Sequence, residues 1–456
     1  MPSLYRHSAL LFALALLALA LACAPAPAPA PAPPQGLVLP PQELAPLFKR
    51  GDGDGCLLRP AYQAERASDY LVRYFECWTR SAPKHSRAEL WALAQPLVDE
   101  PGLGVNLRKR PQGWYQALWR AAGGRAYPNT DWKGLTLGPC NLRVLPSREP
   151  DFAQGPGGGF PFDRLQQTSL PGGLPVRVWL VSPRGDWLVA ETPLALGWLP
   201  VRAVGRLSAE QAAQWQQGPF VTVTRDGGPL RTPDGGFLCD AALGWLLPRR
   251  EGGRAAWRVR FPLAAPGGRA KLGGAFLPRG AAAPFPLSLT PANLEQVAGP
   301  LLGRPYDWGG QWGGRDCSAL TRDLLAPFGL WLPRNSADQA KAGVEHIPLD
   351  GLGNQKKQEL IMRRGIPWLS LLYMPGHVML YVGAPQGQPL VLQALWGLKT
   401  RTPQGQGRLV VGRVVLSGLN PGEQLPDLAQ PEGLLLPRVT TLALLAPPEE
   451  LCPRTD

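Results

Sequence analysis

The chain has 456 residues, enough for about three or four domains of ordinary size. Glycine and proline number 54 and 53, a composition that favours turns and β structure over long helices. The formal charge of +13 suits an anionic partner such as lipid or cell-wall polymer. The chain has no lysine-rich tract and no zinc-finger spacing, so we expect no nucleic-acid partner.

The N-terminus has the layout of an export signal. A basic start precedes an apolar run over residues 9–22, which is too short for a comfortable membrane span. Small residues stand before Cys23, as in a bacterial lipobox, where the cysteine is lipidated and begins the mature chain. Residues 1–22 are therefore predicted to be a signal peptide, and residues 23–35 a lipidation cysteine with an extended alanine–proline stalk in the cell envelope. Ordinary cleavage after Ala22, without lipidation, is the alternative.

The other cysteines bear on disulfide bonding, which export permits. Apart from Cys23 and Cys317, the chain has an odd number of them, so at least one stays unpaired: Cys56, Cys77, Cys140, Cys239 and Cys452. Proximity alone favours a bond between Cys56 and Cys77. Spacing does not determine connectivity, so other pairings stay open.

Residues 36–130 are predicted to form a helical domain. Aromatic and apolar residues between Tyr70 and Trp78 recur at helical spacing, which indicates one buried helix face. Ser86 and Glu89 have the spacing of a capping box, which predicts that a helix begins there.

Alternating apolar and polar residues then replace the helical pattern. Residues 131–210 and 211–282 are each predicted to fold as a small antiparallel barrel, because short alternating runs are separated by glycine-rich turns. A Gly-Trp-Leu element occurs in both segments, at Gly197 and at Gly244. The two segments resemble bacterial SH3-like domains.

Residues 283–456 are predicted to have an α+β layout, with helices first and an antiparallel sheet after them. A helix is predicted over residues 317–325 and a buried strand over residues 368–372. The segments 377–382 and 390–395 are predicted to pair as a hairpin.

Cys317 stands where a glycine-rich loop, residues 305–310, is predicted to run into a helix. A cysteine attacks only as thiolate, and its usual pKa of about 8.5 leaves it mostly protonated at neutral pH. The unpaired N–H groups of a helix N-terminus favour a negative charge, and Asp316 fits as the helix cap. A lone cysteine at a helix start is more often a small buried side chain, so the hypothesis of a nucleophile also needs a base.

Histidine is the usual base for such a thiol, and the chain has four. His7 falls in the signal and His85 in the distant helical domain. His346 is predicted to lie in a loop, whereas His377 opens a strand, which fixes the position of its ring. If the hairpin register places His377 opposite Gln393, the side-chain carbonyl of Gln393 can accept a hydrogen bond from the ring and orient it.

The sequence has no H-E-x-x-H, C-x-x-C, G-x-S-x-G or P-loop pattern that would favour another chemistry. We therefore expect neither a metal ion nor a cofactor. The hypothesis from the residues is a cysteine, histidine and glutamine acting together.

Three segments resemble the NlpC-type cell-wall cysteine peptidases, which have a reduced papain-like fold: residues 302–318, 332–339 and 375–383. The resemblance is close over residues 285–400. It extends over the mature chain, because one subgroup of the family carries a helical N-terminal domain and two SH3-like domains. The implied fold is multidomain, with a C-terminal α+β papain-like peptidase domain at residues 283–456.

The resemblance implies hydrolysis of the amide between γ-D-glutamyl and a diamino acid in peptidoglycan stem peptides. We also expect the protein to be a monomer. Cys317 is then the nucleophile, His377 the base and afterwards the acid, and Gln393 the third catalytic residue.

The resemblance also implies that Tyr306 lies beside the nucleophile and that the Cys317 backbone N–H helps to stabilise the oxyanion. Some family members recognise the free amine of a terminal L-alanine. The positions that bind this amine match Asp316, Ser318 and Ser336.

Two other functions stay open from the sequence. A non-catalytic peptidoglycan-binding lipoprotein would keep the peptidase fold only as a scaffold. A thiol-dependent amidase or acyltransferase would use the same residues on other amides. The identity of the diamino acid and the need for a free L-alanine also stay open.

Overall fold

The computed structural model describes residues 34, 36–48, 55–155, 158–253, 255–403 and 405–453. The predicted signal peptide, the predicted lipidation site at Cys23 and nearly all of the stalk lie outside these described residues. Within the described ranges, no helix is both long enough and apolar enough to cross a bilayer.

The N-terminal domain is helical, as predicted. Its α-helices are α1 (Pro60–Thr79), α2 (Arg87–Ala92), α3 (Gln95–Asp99) and α4 (Gln112–Ala121). Helix α1 begins with proline in its first turn, where proline removes no intrahelical hydrogen bond. The aromatic face between Tyr70 and Trp78 is buried, and the capping box of Ser86 and Glu89 begins α2, which confirms both predictions.

Short strands form the middle of the chain. The first seven are β1 (Trp132–Thr136), β2 (Cys140–Arg143), β3 (Gln166–Leu170), β4 (Pro175–Val181), β5 (Trp187–Glu191), β6 (Leu196–Pro200) and β7 (Val204–Arg206). After helix α5 (Ala209–Gln216), the next seven are β8 (Phe220–Val223), β9 (Gly228–Arg231), β10 (Phe237–Ala241), β11 (Leu246–Pro248), β12 (Ala256–Ala265), β13 (Arg269–Pro278) and β14 (Ala282–Pro284).

The two barrels share backbone hydrogen bonds. Eleven strands form one continuous sheet in the order β10-β9-β13-β7-β1-β4-β5-β6-β2-β3, with β12 paired to β13. The junction is the pairing of β7 with β13, at Arg206 and Arg269. Strands β11, β8 and β14 form a separate three-stranded sheet. The two barrels are therefore joined through one sheet and are not independent domains. The domain boundaries themselves stay a prediction.

The C-terminal domain has the predicted α+β layout. Its α-helices are α6 (Pro291–Ala298), α7 (Cys317–Leu325), α8 (Ser336–Gln339) and α9 (Asn354–Arg364). Its strands are β15 (Glu345–Pro348), β16 (Ser370–Met374), β17 (His377–Gly383), β18 (Leu390–Thr402), β19 (Gly405–Gly418) and β20 (Thr441–Leu444). They form one sheet in the order β15-β20-β16-β17-β18-β19.

Helix α7 packs on strands β17 and β18 of this sheet. Leu320 and Leu324 of the helix are fully buried in one apolar cluster with Val378 and Leu380 of β17. The predicted helix over residues 317–325 is confirmed. His346, expected in a loop, instead lies in strand β15, where it is exposed.

A disulfide bond joins Cys56 to Cys452, with 5.7 Å between their Cα atoms. The predicted bond between Cys56 and Cys77 is therefore wrong. Cys77 is a free, buried cysteine on α1, where its helix face points into the core. The residues flanking the true bond pair as extended backbone, at Leu58 and Leu451, which brings the two chain segments within reach of each other.

Replacing both Cys56 and Cys452 with serine is expected to lower the free energy of unfolding by roughly 2–5 kcal/mol, because the bond constrains a very long loop in the unfolded chain. Urea unfolding followed by tryptophan fluorescence measures the change. Replacing the free cysteine Cys239 with serine is the control. A double variant as stable as the original protein would contradict the expectation.

Candidate active site

Cys317 is the first residue of α7 and is only 8% exposed. The helix begins here because Asp316, the N-cap residue, accepts a hydrogen bond from the Ala319 N–H at 2.9 Å. Burial raises the pKa of the Cys317 thiol to about 12, and the Asp316 carboxylate adds to this rise. The backbone N–H groups of Val378 and Ser318 act in the opposite direction. The resting thiol is protonated at neutral pH and needs a base.

His377 is the first residue of β17 and is 9% exposed. Because the N–H of the next residue, Val378, bonds the Cys317 sulfur, the ring and the thiol both lie where α7 meets β17. Burial lowers the pKa of His377 to about 4, and the hydrogen bond with Gln393 acts in the opposite direction. The imidazole is therefore neutral at pH 7 and can accept a proton.

Gln393 fixes the orientation of this ring, since its Oε1 lies 2.7 Å from His377 Nε2. The Gln393 amide nitrogen donates to Ser417 Oγ at 2.7 Å, and the Ser417 hydroxyl donates to the Gly418 carbonyl at 2.8 Å. Because the serine gives its only proton to Gly418, it accepts from Gln393, which assigns the amide oxygen to the histidine side. Nε2 then carries the ring proton, and Nδ1 is the nitrogen that can accept a proton.

The hairpin register differs from the one assumed from the sequence. Leu380 pairs with Leu392, so the register is shifted by two residues from one that would set His377 directly opposite Gln393. The prediction of direct pairing is wrong. Because the shift is an even number of residues, both side chains still lie on the same face of the sheet. The long glutamine side chain spans the remaining offset.

Asp316 lies in a buried ion pair with Arg334. Its carboxylate accepts from Arg334 Nη2 at 2.6 Å and from the Gly309 N–H at 3.0 Å, besides capping the helix. Burial alone would raise the pKa of Asp316, but the Arg334 guanidinium outweighs it and holds the pKa below its usual value. The carboxylate that the sequence predicted to bind an amine is therefore already paired with an arginine.

The other predicted binding residues surround this pair. The Ser318 hydroxyl accepts from Arg334 Nη1 at 2.9 Å and lies 3.3 Å from Asp316 Oδ1. Ser336 is half-buried and begins α8, a short helix that contacts β17. The structure thus places Ser318 in direct contact with the ion pair, whereas the role of Ser336 stays a prediction.

Tyr306 lies beside the nucleophile in an aromatic cluster. Burial raises the pKa of its hydroxyl, and the nearby Cys317 thiol adds to this rise. Its ring centroid is 5.6 Å from that of Trp396, which in turn lies 5.9 Å from Phe162. Phe162 belongs to the first barrel, so two domains form this wall of the site.

The first barrel also bonds directly to the active-site loops. Thr168 Oγ1 accepts from Arg334 Nε at 2.7 Å. The Asp163 carbonyl accepts from the Trp308 indole N–H at 2.9 Å. The barrel therefore fixes the ion pair and the glycine-rich loop.

Sequence reasoning did not single out Arg334, Thr168 or Ser417. Arg334 stands in one of the segments that carry the resemblance, so its position was a usable signal. Thr168 and Ser417 are far from Cys317 in sequence and have no local pattern that marks them. In the described ranges, no three His, Cys, Asp or Glu side chains cluster so as to hold a metal ion.

Four segments of the chain match known protein families. Residues 303–406 match the NlpC/P60 family. The C-terminal domain is an NlpC/P60 domain. The other matches are an NLPC_P60 stabilising domain at residues 10–127, an SH3 domain of SH3b1 type at residues 150–200 and an SH3 domain of SH3b2 type at residues 208–251.

Among the proteins similar to this chain are a peptidase known from its sequence and an endopeptidase of known structure. A gamma-D-glutamyl-L-lysine dipeptidyl-peptidase from Bacillus subtilis (strain 168) is 41% identical over 64 residues, and the match spans only 14% of this chain and 21% of that protein. The structure of an NlpC/P60 endopeptidase from Photobacterium damselae subsp. piscicida superimposes with a TM-score of 0.78 at 21% identity, covering 90% of this chain and 98% of that one. The second comparison shows a shared fold over most of the chain.

Replacing Gln393 with glutamate is expected to move the acid limb of the kcat/KM profile to higher pH. In the unmodified protein the limb should lie near pH 4, because His377 must be neutral to take the thiol proton. A carboxylate at position 393 would favour imidazolium and raise the pKa of the ring.

The measurement is kcat/KM for a γ-D-glutamyl peptide from about pH 3 to about pH 9. Ser417→Ala is the control, since it removes the support of Gln393 without adding charge, and its limb should stay where it was. An unchanged limb in the glutamate variant would show that Gln393 does not act on His377.

Proposed function

We propose that this protein is a cell-wall cysteine endopeptidase that hydrolyses the amide between γ-D-glutamyl and a diamino acid in peptidoglycan stem peptides, for wall turnover or recycling. The family match supports a cysteine peptidase. The bond is proposed by analogy with the Bacillus subtilis relative, which is named for a γ-D-glutamyl-L-lysine linkage.

One observation carries the proposal: a polar chain runs behind the nucleophile. From His377 through Gln393 to Ser417, each hydrogen bond is 2.7 Å long. Such a chain holds a base in one tautomer and one orientation beside a cysteine at a helix N-terminus. A histidine with a purely structural role on a strand would not need the hydrogen bonds that Gln393 and Ser417 supply.

The chemistry follows from this arrangement. His377 Nδ1 takes the thiol proton as Cys317 Sγ attacks the substrate carbonyl carbon, and the negative charge moves to the carbonyl oxygen. The Cys317 backbone N–H, unpaired at the helix start, is placed to stabilise this oxyanion. The imidazolium then gives its proton to the leaving amine, the C–N bond breaks and a thioester remains. Water, deprotonated by His377, hydrolyses the thioester and frees the thiol.

The contacts of the first barrel support a restricted substrate. Thr168, Asp163 and Phe162 of the barrel contact Arg334, Trp308 and Trp396 of the peptidase domain. A cleft bounded by another domain suits short free peptides better than stem peptides within a cross-linked wall. This favours recycling or turnover over wholesale lysis.

The cellular location is part of the proposal. A lipid on Cys23 and the alanine–proline stalk that follows would tether the enzyme to a membrane while its domains face the wall. The positive charge of the chain is consistent with an anionic surface nearby.

Cys317→Ala is expected to abolish release of L-Ala-γ-D-Glu from the tripeptide L-Ala-γ-D-Glu-diaminopimelate, because no other nucleophile is provided. Chromatography of the products measures this release. Cys239→Ala is the matched control and should retain activity, since Cys239 lies in β10 of the second barrel. Absence of release by the unmodified protein would reject the proposed bond, and equal release by both cysteine variants would reject the proposed nucleophile.

The mature protein is expected to hydrolyse the free tripeptide at least about tenfold faster than intact sacculi at equal concentration of γ-D-glutamyl bonds, because the first barrel bounds the cleft. Release of new amino groups measures both rates. Equal rates on the two substrates would remove the restriction to short peptides.

A further inference from the structure

We propose that Asp226 of the second barrel is a positioning residue for the nucleophile, acting through Arg315 on the loop that leads to Cys317. The inference rests on Cys317 being the nucleophile of the proposed function. It does not depend on which amide the enzyme cleaves.

Arg315 is 5% exposed and lies two residues before Cys317. Its Nη1 donates to Asp226 Oδ2 at 2.7 Å and its Nη2 to Asp226 Oδ1 at 2.8 Å. This is the bidentate geometry in which guanidinium and carboxylate hold each other most firmly. Its Nε donates to Asp323 Oδ2 at 2.8 Å. One buried side chain therefore ties the catalytic loop to a different domain and to helix α7.

Asp226 is itself held by its barrel. It lies in the turn between β8 and β9, and its Oδ1 also accepts from the Leu243 N–H at 2.9 Å. Burial alone would raise the pKa of Asp226, but the hydrogen bonds and charge of Arg315 outweigh it, so the net shift is downward. Asp226 is therefore ionised and fixed in position, and it determines where the Arg315 side chain lies.

The backbone of Arg315 transmits this anchoring to the glycine-rich loop. The Arg315 carbonyl accepts from the Asp307 N–H at 2.9 Å. The Asp307 carboxylate in turn accepts from the N–H groups of Trp312 at 2.6 Å and Gly314 at 3.0 Å. A movement of Arg315 would therefore shift the whole approach to α7.

Apolar packing and the ion cluster together join α7 to the second barrel. Leu243 of the second barrel is buried in one apolar cluster with Leu320 and Leu324 of α7. Beside these contacts, a pocket of about 250 Å³ lies between α1, the barrels and α7, and Asp226, Arg315 and Asp323 are among the residues that line it. The ion cluster is the polar contact that fixes the position of Arg315 at this junction.

Asp226→Ala is expected to lower kcat about 10- to 100-fold while KM stays within about twofold, because displacement of the nucleophile by a fraction of an ångström costs rate and not ground-state binding. Asp131→Ala is the matched control. Asp131 also accepts two bonds from one arginine, Arg177, but both lie in the first barrel segment, so kcat should stay within about twofold.

Alkylation by iodoacetamide, resolved by peptide mass spectrometry, tests positioning without any substrate. Loosening of the loop should raise the alkylation rate of Cys317 by about fivefold or more, while the buried free cysteine Cys77 stays unreactive. If Cys77 also reacts, the variant has unfolded, and Asp226→Asn, which keeps the side-chain volume, gives the result instead.

The proposal is overturned if the folded Asp226 variant retains the original kcat and the original alkylation rate of Cys317. It is equally overturned if Asp131→Ala loses as much kcat. Failure of the unmodified protein to cleave the tripeptide would reject the proposed bond, but the alkylation rates would still decide the role of Asp226.

Discussion

The ion pair between Asp316 and Arg334 is the interaction on which the catalytic region depends. Both residues are 5% exposed, and taking two charges out of water is costly unless their hydrogen-bonding groups are satisfied. Here the carboxylate bonds Arg334, caps α7 and accepts from Gly309, while the arginine also bonds Thr168 of the first barrel. Removing either partner would leave a buried charge at the helix that carries Cys317.

This pair also explains why the nucleophile and base rest uncharged. The charges of Asp316 and Arg334 largely cancel, so burial dominates around Cys317 and His377. A neutral glutamine then suits the third position, because it orients the ring without pulling a proton onto it.

Local signals in the sequence predicted much of this site. Contacts between residues that are distant in the sequence were not predicted. A helix cap, a glycine-rich approach and a strand start depend on neighbouring residues, so the positions of Cys317 and His377 followed from spacing. Arg334 meets Thr168 across two domains, and Cys56 meets Cys452 across nearly the whole chain. Contacts of this kind are decided by how domains pack, and no periodicity in the sequence encodes them.

Gln393 depends both on local sequence patterns, which can be read directly, and on the pairing of strands, which cannot. The face on which a strand residue points follows from alternation along the chain, which the sequence displays directly. The residue that stands opposite depends on the turn and on any bulge. Here the short 3₁₀ turn Pro385–Gly387 and a bulge between Tyr381 and Gly383 together give a register two residues away from the assumed one. A register that differed by one residue would turn Gln393 to the other face of the sheet and break the polar chain. A register that differs by two residues keeps Gln393 on the same face, and its side chain is long enough to reach His377. A shorter asparagine at the same position could not reach the ring.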